Sequence, residues 1–348
     1  MNARRAGLLI VLALAVAACA SRWTVRTSPS NVLLQWPFQP SQAKLTFVES
    51  MTGFAQVNGS SEAFKRFVTG ADRAEPNAFV LPVAVATGTD GRIAVADLGR
   101  RCVHLYLPSK RLYLRLTGGK AAPIVSPVAV IFDEASRLYV SDSAGRLFGF
   151  GADGELRFTV DRAGEDALKR PTGLAYAPGK QRLYVVDTLA NKVRVFDTNG
   201  AYQFSFGERG DEADRFNFPT HIFHARSGEI YVTNSLAFRV EIFDEDGKPL
   251  GSFGRHGDGS GDFAMPKGIA VDGDGIVYVV DSLFDNVQLF NRRGDFLLTL
   301  GRRGTDAGEF WLPSGAFIGR NDDLYVCDTY NRRIQVFRIA EHYATPSF

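Results

Sequence analysis

His221 is the side chain of this sequence whose type and position most suggest chemistry. It stands two residues after a proline, at a place where the same pattern elsewhere in the chain carries only a small residue. The small residues at the equivalent positions are Ala84, Ala129, Gly173, Gly268 and Gly315. Because an imidazole can act as a general base or bind a metal ion, His221 is a candidate binding or catalytic residue.

Three further polar residues each follow one of the recurring prolines directly and extend this candidate. They are Lys267, Thr172 and Ser314, and together with His221 they predict one polar binding patch. No catalytic residue is assigned, because the sequence contains no nucleophile elbow (GxSxG), no phosphate-binding loop and no CxxC pair.

The number and placement of the histidines argue against a zinc site. The chain has only five, namely His104, His221, His224, His256 and His342. No other repeat offers a histidine equivalent to His221, whereas a zinc ion needs at least three converging protein ligands. We therefore predict no metal and no cofactor and interpret His221 as a hydrogen-bonding residue, with zinc or calcium as the alternative.

The elements that must position these residues belong to a unit that occurs six times. A five-residue motif recurs: an aliphatic residue, a second residue that is usually Tyr, then Val, a variable residue, and finally Asp or Asn. The final Asp or Asn residues of successive motifs are 45, 45, 47, 47 and 47 positions apart. The polar residues are Asp97, Asp142, Asp187, Asn234, Asp281 and Asp328. A proline precedes each by about fifteen residues: Pro82, Pro127, Pro171, Pro219, Pro266 and Pro313. Two marks that share one period indicate a structural repeat.

Each unit is predicted to form four short strands, a to d. In the fifth unit these are residues 266–271, 277–280, 287–290 and 296–300, separated by Asp-Gly and Arg-Gly turns. We expect the Asp or Asn that ends strand b to accept hydrogen bonds from the backbone of the following turn. Because this structural role explains all six Asp and Asn residues, they do not indicate a ring of ligands around a calcium ion.

One four-stranded sheet cannot bury both of its apolar faces, whereas six sheets arranged radially can. The sequence therefore predicts an all-β fold, a six-bladed β-propeller of four-stranded antiparallel blades. Small residues on strand a suit the crowded axis and large ones the wider space outside, in keeping with 35 glycines and 27 phenylalanines. The predicted polar patch would then lie at one mouth of the central channel.

The repeated phrase PxGIAVDxxGxxYVxD, followed by [VI]x[VIL]F, resembles the NHL repeat. The best matches are Pro266–Gly301 and Pro313–Phe337, and the resemblance covers about residues 77–339. It implies the propeller fold but not one function, because this fold carries many activities. Related propeller lyases cleave peptidyl-hydroxyglycine at a zinc site. That relationship supplies the alternative function, a metal-dependent lyase or hydrolase at the channel mouth.

The sixth unit ends after strand c, so another segment must close the ring. Residues 44–50 read as a spare strand and are predicted to pair there, within a propeller that spans 44–340. A short helix is expected in 60–73 and a C-terminal tail in 341–348. Cys102 and Cys327 fall in the first and sixth units, which ring closure makes neighbours. The sequence is compatible with a disulfide between them and with two free thiols.

The N-terminus predicts export and lipid anchoring. Arg4 and Arg5 precede an apolar run, typical of a signal peptide over residues 1–18. Val16-Ala17-Ala18-Cys19 resembles the bacterial lipobox, which implies acyl chains on Cys19. Ala20, where Asp would retain the protein at the inner membrane, implies a location at the outer membrane, facing the periplasm. Residues 19–43 read as a tether.

Charge excludes one class of partner. The chain has 40 basic and 38 acidic residues, and removal of Arg4 and Arg5 leaves 40 − 2 = 38 of each, a net charge of zero. A neutral exported protein is not expected to bind nucleic acid. With no catalytic constellation in the sequence, we predict a binding or scaffold module at the cell envelope rather than an enzyme. Its protein, peptide or glycan partner would bind the face that carries the d–a and b–c loops.

Overall fold

The computed structural model describes residues 22–57, 77–319 and 321–340. The predicted signal peptide, Cys19, the segment 60–73 and the tail 341–348 lie outside those ranges and stay predictions. Within the described ranges no helix has the length and apolar character needed to cross a bilayer.

The described chain is built of strands in the predicted order. First come β1 Arg22–Pro29, β2 Gln35–Trp36 and β3 Leu45–Val57. Blade one has β4 Pro82–Thr87, β5 Ile93–Asp97, β6 Cys102–Leu107 and β7 Leu112–Leu116. Blade two has β8 Pro127–Phe132, β9 Leu138–Asp142, β10 Arg146–Phe150 and β11 Leu156–Val160, followed by the hairpin β12 Arg162–Ala163 and β13 Asp166–Ala167.

The remaining blades repeat this plan. Blade three has β14 Pro171–Ala177, β15 Arg182–Asp187, β16 Lys192–Asp197 and β17 Tyr202–Phe206. Blade four has β18 Pro219–His224, β19 Ile230–Asn234, β20 Arg239–Phe243 and β21 Pro249–Phe253. Blade five has β22 Pro266–Val271, β23 Val277–Asp281, β24 Asn286–Phe290 and β25 Phe296–Leu300, and blade six has β26 Ala316–Ile318, β27 Asp323–Asp328 and β28 Arg333–Ile339. Short 3-10 turns cover Pro108–Lys110, Thr188–Ala190 and Ser235–Ala237. The predicted six-bladed antiparallel propeller is confirmed.

The ring is closed by the N-terminal strand, as predicted. Strand β3 pairs antiparallel with β28 and takes the place of the missing strand d of blade six. Met51 lies opposite Ile334 and Leu45 opposite Ile339. Leu45 is fully buried, and the Phe47 ring meets Phe337 edge-on at 5.7 Å between centroids. The first and last parts of the chain therefore share one sheet.

Part of the segment interpreted as a tether is folded. Strand β1 pairs with the outer edge of β3, and β2 pairs with its beginning. Trp36 is buried against Phe337, with ring centroids 5.6 Å apart. The Pro- and Ser-containing composition suggested a linker. The open edge of β3 and the space for the Trp36 ring between blades five and six instead favour a folded segment that is paired with the propeller.

The Asp or Asn at the end of each strand b fixes the entry of strand a in its own blade. The Asp281 carboxylate accepts hydrogen bonds from the backbone N–H groups of Ala264 and Met265, at 2.7 and 3.0 Å. It also accepts from Leu283 and Phe284 in the following turn. The predicted contact to the following turn is thus present, but the closer partners precede the recurring proline.

A hydroxyl one residue further on joins neighbouring blades. Thr188 donates from Oγ1 to the carbonyl of Pro219 at 2.8 Å, and Thr329 to that of Pro82 at 2.9 Å. Ser235 and Ser282 do the same to Pro266 and Pro313. These four side chains are called the junction hydroxyls below. Sequence reasoning missed them, although Ser or Thr directly after the repeat Asp or Asn is a visible signal.

Candidate functional site

The two ends of the propeller differ in what they present. The end that carries the b–c and d–a loops is called the loop rim below, and the end that carries the a–b and c–d loops is called the cavity face. Consecutive residues of a strand point to opposite faces of their blade, so the side chains of one strand a can contact both neighbouring blades.

A cavity of about 380 Å³ occupies the axis and reaches the cavity face. Its deep wall is formed by small and aliphatic residues of strands a, and exposed residues of the a–b loops, such as Thr89 and Glu134, surround its opening. His221 lines this cavity, among Ala84, Ala129, Gly173 and Gly315. The histidine predicted from the repeat pattern is therefore at the axis, as expected.

The His221 ring has no protein partner among the described residues. Its backbone N–H donates to Thr233 Oγ1 at 3.0 Å, but Nδ1 of the ring is buried without a hydrogen bond to any described group. Burial, together with the positive charge of Lys267, lowers the pKa of His221 to about 3. The imidazole is therefore neutral near pH 7, with one donor and one acceptor nitrogen.

The other three predicted residues are not drawn into a common patch with His221. Thr172 and Ser314 bind the junction hydroxyls Thr188 and Thr329, each at 2.7 Å between oxygen atoms. Lys267 is half-buried, and burial lowers its pKa. None of these three lines the cavity defined by the described residues. Thr172 and Ser314 directly precede the cavity-lining residues Gly173 and Gly315, but their hydroxyls are bonded at the blade junctions.

The small residue two positions after five of the recurring prolines allows the backbones of neighbouring a strands to come into contact near the axis. The N–H of Gly268 donates to the carbonyl of Ser314 in the next blade at 2.9 Å. A Cβ at Gly173 would lie 2.7 Å from the Cα of His221. These approaches bring strand backbones together at the level of His221, which therefore stands where the channel is narrow.

Blade one contains a second group of reactive residue types. His104 lies between Asp97 and Cys102, with Nε2 at 3.4 Å from the Asp97 carboxylate and 3.9 Å from Cys102 Sγ. All three are fully buried, and burial raises the pKa of the Cys102 thiol and lowers that of His104. A buried neutral thiol is a poor nucleophile, so the group is structural.

Metal ligands do not converge in the described part of the chain. Among residues 22–57, 77–319 and 321–340 no group of three His, Cys, Asp or Glu side chains could hold a metal ion. Cys102 and Cys327 are free and buried, which resolves the disulfide alternative in favour of thiols. Burial also raises the pKa of Cys327 strongly.

The loop rim carries large apolar side chains in the open. They follow strand b or precede strand a at repeated positions and are between 36% and 56% exposed. These residues are Leu98, Val125, Leu189, Leu236, Leu283, Trp311 and Tyr330. They are called the apolar ring below. Trp311 and Tyr330 contact each other at 5.7 Å between ring centroids. Sequence reasoning missed this ring because it looked for polar departures from the repeat.

The long d–a loops behind this ring are closed structures. Phe216, Phe263 and Phe310 are fully buried beneath them. Their charges pair within the loop, as in Arg255 with Asp262 at 2.6 Å and Arg302 with Glu309 at 3.0 Å. Arg255 and Arg302 therefore do not add unpaired positive charge to the loop rim.

Comparison with known proteins supports the fold. The NHL repeat profile matches residues 310–337. The E3 ubiquitin-protein ligase NHLRC1 of Homo sapiens is 37% identical over 59 residues, which are 17% of this chain and 15% of that protein. The Mus musculus protein is 34% identical over 87 residues, 25% of this chain and 21% of that protein. The matched segments thus span less than a quarter of those relatives.

Solved structures extend the similarity to the whole propeller. A streptogramin B lyase is 9% identical with a TM-score of 0.59, covering 92% of this chain and 98% of that one. A virginiamycin B lyase from Staphylococcus aureus is 12% identical, with a TM-score of 0.56 over 76% and 86%. A gluconolactonase from Xanthomonas campestris is 15% identical, with a TM-score of 0.55 over 75% and 87%. At such identities the likeness concerns the fold alone. The chain is a six-bladed β-propeller that contains an NHL repeat.

Proposed function

We propose that this chain is a binding module that holds a peptide segment of a protein partner on its loop rim. The observation that carries the proposal is the apolar ring. A single exposed Leu on a protein surface is ordinary, but large apolar side chains exposed at equivalent positions of successive blades are characteristic of interaction sites.

The chemistry inside the ring complements a peptide. Lys267 is half-buried and supplies a positive charge, whereas the hydroxyls of Thr172, Ser314 and the junction residues are buried and bonded within the ring. Leu189, Leu236 and Leu283 offer aliphatic contacts that suit apolar side chains better than sugar rings. A peptide with spaced apolar residues around a polar or acidic centre therefore fits this surface better than a glycan.

The alternative, a lyase or hydrolase at the channel mouth, has less support. A base with a pKa of about 3 has little affinity for a substrate proton near pH 7. His221 also lacks a second catalytic group within hydrogen-bond distance among the described residues. The similarity to lyases and to a gluconolactonase concerns fold only, so it does not transfer their reactions to this chain.

The cell-envelope location belongs to the same proposal. Its support is the basic start, the apolar run and the lipobox-like Val16-Ala17-Ala18-Cys19. Arg22, where β1 begins, is only three residues after Cys19, so an acyl anchor there would hold the propeller within about 11 Å of the lipid surface. The Trp23 N–H donates to the carbonyl of Arg111 in the c–d loop of blade one, so such an anchor would lie at the cavity-face end and leave the loop rim open to the periplasm.

Selection of a random peptide library on the purified protein tests the binding function. We expect enriched peptides to share spaced apolar residues and to lose binding to the Leu236→Asp, Leu283→Asp double variant. Leu250→Asp is the matched control, because Leu250 is exposed to a similar degree but lies on the outer strand β21. Failure to enrich any peptide, or equal loss with both variants, would count against the loop rim.

A further inference from the structure

The axial cavity lies on the opposite side of the propeller from the proposed peptide site. It is lined by residues of all six blades, mostly through backbone and small or aliphatic side chains. Val130 and Ile222 are buried in its wall, and Ile131 and Phe223 are partly buried there. A volume of about 380 Å³ accommodates a small organic molecule.

The charged residues of the cavity are accounted for by partners. Asp133 is buried but accepts hydrogen bonds from Tyr139 at 2.9 Å and from Arg137 at 2.6 Å. Arg226, near the opening, pairs with Asp322 at 2.9 Å. Glu134 lies at the opening and is exposed to solvent. The remaining wall offers no unpaired charge that would offset the cost of burying an ionic ligand.

His221 differs from the other polar residues described in this wall, because its ring contains a buried atom without a hydrogen-bond partner among the described groups. Its ring stands among glycine, alanine and aliphatic residues, and its buried Nδ1 has no hydrogen-bond partner among the described groups. A buried polar atom without a hydrogen-bond partner costs free energy. A ligand that hydrogen-bonds the imidazole would remove that cost on binding.

We propose that the cavity binds a slender neutral molecule, apolar along its length, whose leading hydroxyl or carbonyl group hydrogen-bonds the His221 imidazole. Five repeats keep a small residue at this position and leave room for the ligand, and the fourth supplies its polar contact. The site is separate from the loop rim, so it does not depend on the proposed peptide binding.

Two fluorescent aromatic probes test this site. 2-Naphthol carries a hydroxyl group, and naphthalene has the same ring system without one. We expect 2-naphthol to bind with a stoichiometry of one and about tenfold more tightly than naphthalene, the size of effect of one neutral hydrogen bond. His221→Leu should remove the difference between the probes while naphthalene still binds.

Further variants separate the site from general effects. Ile131→Trp should abolish binding of both probes by filling the cavity, and His256→Leu, which changes an exposed loop histidine, should leave both affinities unchanged. Thermal melts establish that each variant is folded, and Thr87→Trp replaces Ile131→Trp if the latter is not. The 15N shifts of the His221 ring should change on addition of 2-naphthol.

Three outcomes would overturn the proposal. One is the absence of saturable binding by either probe. A second is an unchanged preference for 2-naphthol in folded His221→Leu. A third is stoichiometric zinc in the purified protein that is lost with His221→Leu, since a metal site would make the imidazole a ligand rather than a hydrogen-bonding group.

Discussion

The Lys44 ammonium lies 2.9 Å from the Asp272 carboxylate, and the two side chains are only 1% and 2% exposed. Asp272 stands in the a–b turn of blade five and also accepts hydrogen bonds from the Tyr278 hydroxyl and the Ile276 N–H. Lys44 directly precedes the closing strand β3. A buried ion pair therefore ties the strand that closes the ring to the neighbouring blade.

Asp272→Ala is expected to lower the free energy of unfolding by about 3–5 kcal/mol, because it removes the buried partner of a buried cation. Asp274→Ala is the control, since Asp274 is 3.8 Å from the same ammonium and 49% exposed. Its effect should stay below about 1 kcal/mol. Urea unfolding monitored by fluorescence measures both. Equal losses for the two variants would contradict a special role of the buried pair.

Thr329→Val should weaken the junction between blades six and one by about 1–2 kcal/mol. The substitution keeps the shape of the side chain but removes the hydrogen bonds to Pro82 and Ser314. Thr159→Val, on an exposed position of β11, serves as the comparison and should change stability by less than about 0.5 kcal/mol. If the Thr329 variant is as stable as wild type, the junction hydroxyls do not contribute to closure.

His221 should make the protein less stable in acid. Burial and Lys267 lower its pKa from 6.5 to about 3, so between these values the unfolded chain binds a proton that the folded one does not. Stability is therefore lost as the pH falls from 6.5 towards 3. His221→Leu should show a shallower decline in melting temperature over this window, and His256→Leu should follow wild type. Parallel curves for all three proteins would refute the assignment.

Cys19→Ser should move the protein from the membrane fraction to the soluble periplasmic fraction, because the serine hydroxyl cannot carry the thioether-linked lipid. Ala20→Asp should keep the protein in membranes but shift it from the outer to the inner membrane of an enteric host. Cell fractionation with labelled palmitate measures both. Labelling that persists in the Cys19→Ser protein would disprove the lipobox interpretation.

The blades were predictable because their information is local and repeated. The alternation of apolar and polar residues, the turn glycines and the strand-b Asp each act within one unit, and their period shows how many units stack. The closing strand was predictable from the number of strands in each unit. The sixth unit lacked its fourth strand, and residues 44–50 formed a predicted strand that belonged to no unit. The order in β1 was not predictable, because its partner is the far edge of β3.

The candidate site was predicted only in part, because the contacts between blades that occupy Thr172 and Ser314 are not visible in the sequence of one unit. His221 was identified because it breaks the repeat, and it does line the axis. Lys267, Thr172 and Ser314 stand one residue earlier on their strands, where the register is irregular, and Thr172 and Ser314 bind junction hydroxyls instead. The junction hydroxyls and the apolar ring depend on contacts between blades or on exposure, which a unit read by itself does not reveal.

The most direct test of the binding proposal is the dissociation constant of one selected peptide for four proteins, measured by fluorescence anisotropy. These are wild type, Leu236→Asp, Leu283→Asp and the outer-strand control Leu250→Asp. Loss of a buried leucine contact and introduction of a charge should weaken binding at least tenfold for each rim variant, with the control within twofold of wild type. Unchanged affinity in both rim variants, with the fold intact, would show that the apolar ring is not the binding surface.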